Sequence, residues 1–135
     1  MSTKQEIIDF IHKEFPQAGI IIEEVKNQGA IVRLDVDEQH LRPGRTVSGP
    51  TLMAVADVAL YVAIFGVVGI VPLAVTTNLN INFMRKPAAG KPLRGVCKLL
   101  KVGRSLAVGE VSIFSAGVDD PVAHVTGTYS LPAGS

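Results

Sequence analysis

Residues 48–66 read SGPTLMAVADVALYVAIFG, and this stretch decides the fold. Pro50 suits the first turn of a helix, where a backbone N–H would be orphaned anyway, and Ser48 or Gly49 suits the cap before it. The spacing predicts a helix over residues 50–66, ended by Gly66 and Gly69. Its apolar residues lie nearly all round, so the rest of the chain must cover it on nearly every side.

The same stretch raises the question of a membrane. From Val58 to Val75 there are 18 residues without a charge, the lower limit for a spanning helix. Gly66, Gly69 and Pro72 punctuate that run, and no Lys or Arg between Arg45 and Arg85 anchors either end. The flanking segments read as strands that need a core to cover. A buried helix, then a turn and a strand, is the expectation, with no membrane partner.

Working outward, residues 3–15 form an amphipathic helix, with Ser2 and Gln5 at capping-box spacing, Ile7, Ile11 and Phe15 on one stripe, and Pro16 as the stop. Residues 19–26 and 30–37 read as a hairpin across Asn27-Gln28-Gly29, with Gly29 left-handed. Residues 38–48 are loop. In residues 74–84, Val75, Thr77, Leu79, Ile81 and Phe83 alternate with Thr76, Asn78, Asn80 and Asn82, the signature of a strand. Residues 92–102, 105–115 and 121–131 supply three more, broken at 86–90, 102–104 and 117–121. Connections this short imply antiparallel neighbours. The expected fold is α+β, one domain over 1–135: about six antiparallel strands curved around one long helix, plus a short N-terminal helix.

Composition narrows the function. Lys plus Arg is 13 and Asp plus Glu 12, so there is no basic excess for nucleic-acid phosphates. The single cysteine, Cys97, forbids an internal disulfide framework and a Cys-rich zinc site, and fits a reducing cytoplasm. It reads as a packing residue. Glu6, Asp9, His12 and Lys13 interrupt the apolar stretch that a secretory signal would need. No His/Asp/Glu cluster has metal-ligand spacing, and no Gly-rich nucleotide loop occurs. His12 and His124 read as ordinary surface residues, as does the loop residue His40.

Asp57 is the residue that does not belong. It lies midway along the apolar helix, and of its one-turn neighbours Met53, Ala54, Leu60 and Tyr61 only the Tyr61 hydroxyl can pair with it. An unpaired buried charge costs several kcal/mol, so Asp57 either meets a partner from elsewhere or is a functional acid. Ser48-Gly49-Pro50 is the second feature. It sets free N–H groups at a helix start, the physics of an oxyanion hole.

Three blocks together resemble a known family. SGPTLMAVADVALYVAIF is similar to the helix entry of hotdog-fold acyl-CoA thioesterases of the phenylacetate-pathway (PaaI-like) type. There a His-Gly-Gly motif opens the helix and an acid follows seven positions after the last Gly, as Asp57 follows Pro50. VTTNLNINFMRKP resembles the following family strand, and LLKVGRSLAVGEV the Gly-basic-hydroxyl turn of the next hairpin. The resemblance spans roughly residues 20–131. It implies hydrolysis of a small to medium acyl-CoA, aromatic or aliphatic, with no cofactor beyond the coenzyme A of the substrate. It implies a homodimer, pairing into a homotetramer, with active sites at the dimer interface.

By the same resemblance Asp57 is the catalytic carboxylate, as base or as nucleophile. Gly49 donates its N–H to the thioester carbonyl, and Thr76 helps hold the water. Ser48 stands where the family has His, Pro50 where it has the second Gly, and Arg42 where it has Asn. Arg42 would act on Asp57 or on an anionic part of the substrate. Arg85, Lys86, Lys101, Gly103, Arg104 and Ser105 are the candidates for the coenzyme phosphates. Met53, Leu60 and Tyr61 are expected to line the acyl pocket, and Asn78, Asn80 and Asn82 a polar subunit interface. A non-catalytic acyl-CoA-binding hotdog protein is the alternative reading.

Overall fold

A computed structural model describes residues 1–88 and 90–132. Ala89, within the expected break at 86–90, lies outside them, as do residues 133–135. The chain order is α1 (Lys4–Glu14), β1 (Ile20–Lys26), β2 (Gly29–Leu34), β3 (Leu41–Arg42), β4 (Thr46–Val47), α2 (Gly49–Val68), β5 (Val75–Phe83), β6 (Leu93–Val102), β7 (Leu106–Ser115) and β8 (Ala123–Ser130). One-turn 3-10 helices occupy Pro16–Ala18 and Glu38–His40. The main sheet is six-stranded and antiparallel throughout, in the order β1-β2-β6-β7-β8-β5. Strands β3 and β4 make a small separate ribbon. The architecture is the α+β hotdog arrangement, with the sheet curved around α2.

α2 is long and apolar enough to cross a membrane, but ten of its residues are buried within the fold instead. Its close seat on the sheet has a visible cause. A Cβ at Gly109 of β7 or Gly127 of β8 would come within 2.7 or 2.5 Å of the Leu60 methyls. Leaving those positions bare lets the helix sink onto the strands, and full burial of Leu60 stabilises by about 1.5–3 kcal/mol.

Several local expectations are corrected. α1 is capped by Thr3 with Glu6, one residue on from the Ser2–Gln5 pair. In the β1–β2 hairpin the left-handed residues are Asn27 and Gln28, a two-residue turn. Gly29 is already in the strand, where a Cβ would lie 2.6 Å from the Cys97 carbonyl oxygen. β2 stops at Leu34, short of residue 37. Gly66 does not end α2; the helix runs on to Val68 with Gly69 as its cap. A Cβ at Gly66 would meet Val25 at 2.6 Å, so this glycine marks a close approach to β1.

The most consequential correction is in β5. A register shift between Thr76 and Asn78 leaves Thr77 without a pairing partner on β8. Such a bulge reverses which face the residues before it use. Thr76 pairs with Tyr129 and turns inward, on the same side as Leu79, whose methyl nears Gly127 and Leu60. Strict alternation would set Thr76 with the asparagines. Asn78, Asn80 and Asn82 stay on the outer face, opposite Thr128, Thr126 and His124.

Candidate active site

Asp57 does find its partners elsewhere in the fold. Thr76 Oγ1 donates to Asp57 Oδ1 at 2.7 Å, and the Tyr129 hydroxyl donates to the same oxygen at 2.7 Å. The phenol also sits 3.1 Å from the Asp57 backbone carbonyl. Both are hydrogen bonds to a carboxylate, the short and strong kind. No described residue donates to Oδ2. Tyr61, the one partner available within the helix, instead donates to the Pro72 carbonyl at 3.1 Å.

Tyr129 is the residue that sequence reasoning missed. Its signal was present: Val125, Gly127 and Tyr129 share the inward face of β8, and a buried phenol must find an acceptor. Burial above all, and then the Asp57 carboxylate, push its pKa well above the ordinary tyrosine value. It therefore stays a proton donor to Asp57 across the physiological range.

Asp57 opens into a cavity of about 740 Å³, a size suited to a small ligand. Asp57, Val58 and Tyr61 of α2 line it with Ala74, Val75, Thr76 and Tyr129. Phe10, Glu14 and Phe15 of the N-terminal segment close another side. Of the expected lining residues only Tyr61 is there. Leu60 is buried beneath the sheet glycines, and Met53 is exposed and off this wall.

Ser48 and Gly49 form a second, separate constellation. Ser48 caps α2: its Oγ accepts the Thr51 N–H at 3.3 Å and lies 2.7 Å from Thr51 Oγ1. Gly49 begins the helix, and a Cβ there would touch the Phe83 ring at 3.3 Å. Eight residues at 1.5 Å rise separate Gly49 from Asp57, about 12 Å along the axis. One chain does not bring the two together. Arg42 is exposed on β3 and outside the Asp57 cavity. His40 is occupied locally, its Nδ1 accepting the Asp37 N–H at 2.9 Å.

The basic residues divide the same way. Lys101, Arg104 and Ser105 lie exposed at the β6–β7 turn, just beyond Leu106, which pairs with Ser130 at the Val75 end of the sheet. The Gly103 N–H in that turn is already donated to Leu106 O at 2.8 Å. Arg85 and Lys86 follow Phe83 at the other end, where Arg85 Nε donates to Pro121 O at 3.1 Å and faces Asp120. The length of β8 puts about 25 Å between the two groups. Cys97 is buried, its thiol pushed up to about 12 by burial and then by Glu110, which makes it a packing residue.

Known proteins share this fold. The family described as the Thioesterase superfamily matches residues 44–121. A candidate thioesterase from Silicibacter sp. TM1040 is 45% identical, superimposing with a TM-score of 0.88 over 96% of this chain and 91% of that one. The PaaI protein from the phenylacetic acid degradation operon of E. coli is 22% identical, with a TM-score of 0.78 over 93% of this chain and 93% of that one. Zebrafish thioesterase superfamily member 2 is 20% identical, with a TM-score of 0.86 over 98% of this chain and 100% of that one. None of the curated proteins matches the sequence.

Proposed function

The chain belongs to the thioesterase superfamily and is a thioester hydrolase, and from that premise we propose that it hydrolyses small to medium acyl-CoAs with the Asp57 carboxylate, at a site shared by two copies. One observation carries the reading: two short hydrogen bonds tie Asp57 Oδ1 while Oδ2 remains available beside a roomy cavity.

Asp57 Oδ2 takes a proton from a water molecule as that water attacks the thioester carbonyl carbon. The tetrahedral oxyanion needs N–H donors, and the carbon–sulfur bond then breaks to give the acid and the coenzyme thiol, which takes up the proton. Thr76 and Tyr129 hold the carboxylate in place throughout. Direct attack by Asp57 would instead form a mixed anhydride. Single turnover in heavy-oxygen water together with hydroxylamine trapping separates the two: label in Asp57 or a trapped Asp57 hydroxamate supports the nucleophile, and label in the product acid alone with no trapped adduct supports the base.

A second copy supplies the donors. β5 is an edge strand, paired only with β8, and Val75 and Phe83 at its two ends are each 55% exposed. Such an edge invites another strand. Antiparallel pairing of β5 with its copy, centred on Leu79, sets Val75 opposite the copy's Phe83. The copy's Gly49, against that Phe83, then arrives beside Thr76 and Asp57. Its Arg85 and Lys86 arrive on the side where Lys101 and Arg104 already stand, gathering the charges that coenzyme phosphates require. Arg42 enters with the same ribbon, and such dimers pair into tetramers.

The test is thiol release from a panel of aliphatic and aromatic acyl-CoAs. Turnover by the wild type that collapses in Asp57→Asn, with the circular dichroism spectrum intact, is the expected result. Turnover that survives the substitution contradicts the mechanism. Binding without turnover across the panel favours the acyl-CoA-binding alternative.

A further inference from the structure

The N-terminal helix contributes a charge to the acyl cavity. Phe10 packs edge-on against Phe65, ring centroids 5.4 Å apart, and Phe65 lies tilted against Tyr61 with centroids 4.2 Å apart. Phe65 lies eight residues beyond Asp57, about 12 Å along α2 and away from Gly49. Phe10, Glu14 and Phe15 therefore build the wall of the cavity on the Phe65 side of Asp57.

Glu14 stands out on that wall. Apart from Asp57 it is the cavity's only charged residue, and no Lys, Arg or His lines the space among the described residues. Its side chain makes no hydrogen bond or ion pair with any described residue. It is also the last residue of α1, where a negative charge opposes the helix dipole, so it does not serve helix stability. His12 and Lys13 of the same turn are not on this wall: His12 lines a different cavity, beside Ile8 and Ile20.

We infer that Glu14 is a specificity-determining residue: it makes the N-terminal wall of the acyl cavity anionic, so that acyl groups with a neutral or hydrogen-bond-donating tip are accepted there and those ending in a carboxylate are rejected. This rests on the acyl-CoA reading above. Glu14 is exposed at the rim of the cavity, so the repulsion of a like charge is screened by solvent and salt, and the free energy of rejection appears in binding.

The experiment compares hexanoyl-CoA with adipoyl-CoA, of equal chain length but differing at the tip, on wild type, Glu14→Gln and Glu14→Lys. The readout is the ratio of kcat/KM for adipoyl-CoA over hexanoyl-CoA within each variant. The wild type favours hexanoyl-CoA, the ratio rises in Glu14→Gln, and it rises by about tenfold or more in Glu14→Lys, mainly through KM and less so at high salt. A wild type active on hexanoyl-CoA whose ratio stays within about twofold in Glu14→Lys overturns the role of Glu14 and leaves the acyl-CoA reading standing. A wild type inert toward both thioesters overturns this inference, and one inert across the aliphatic and aromatic panel overturns that reading as well.

Discussion

The two ends of β5 do different work. At Val75–Thr76 the strand meets a carboxylate held by two hydroxyls and a cavity large enough for an acyl group. At Phe83 it meets the start of α2, a Ser-capped helix with N–H groups and no acid. Each end has what the other lacks. On the proposed mechanism, a chain that keeps Asp57 and the Gly49 N–H about 12 Å apart can use both only if a second chain closes the distance.

Removing the acid should have the largest effect. Asp57→Asn is expected to lower kcat/KM about 100- to 10,000-fold in the thiol-release assay, the range of a positioned general base. A loss of less than about tenfold would mean that the Thr76 end is not where chemistry happens. Next comes separation of the ends. Charges on an edge strand block its pairing with another strand. Asn78→Lys with Asn80→Lys, both on the outer face of β5, should yield folded monomers by light scattering and abolish turnover in parallel. Monomers that still turn over would show that one end suffices.

Tyr129→Phe sharpens the picture of the acid end. It deletes one of the two donors to Asp57 Oδ1 and should cost about 1–3 kcal/mol in urea unfolding, with a drop in kcat as the carboxylate loses part of its hold. The phenol also gives a pH signature. Its pKa in the folded protein is raised above the ordinary value of 10.0, so its stabilising contribution is complete below pH 10.0 and is lost as pH climbs through the higher folded value. Stability measured above pH 10.0 should fall more steeply in wild type than in Tyr129→Phe. The smallest effect on turnover belongs to Gly66→Ala, remote from either end. Its Cβ would press on Val25 at 2.6 Å, which should lower stability by about 1–3 kcal/mol while kcat stays near wild type.

Much of this is legible in the residues. An all-apolar helix with one acid near its centre demands both a wrapping sheet and a reason for Asp57. The alternation in β5 to β8 locates the strands to within a residue or two. Thr76 stands out as a site hydroxyl by resemblance, yet period-two counting sends it to the wrong face. A one-residue bulge leaves no mark in an unbroken run such as VTTNLNINF. Tyr129 is 72 positions from Asp57, and nothing local announces a pairing at that distance. Glu14 looks, in sequence, like one more solvated charge of an amphipathic helix. Only the packing of α1 against Phe65 reveals the cavity it faces.

The central claim, that acid and oxyanion donor come from different chains, can be tested by mixing. Asp57→Asn lacks the acid, and Gly49→Pro lacks the N–H. Each should be nearly inactive alone. Unfolded together in equal amounts and refolded, they form about one half mixed dimers, each with one undamaged site, and should recover about a quarter of wild-type activity. A refolded mixture no more active than the two variants apart, with mixed dimers shown to be present, would contradict the shared site.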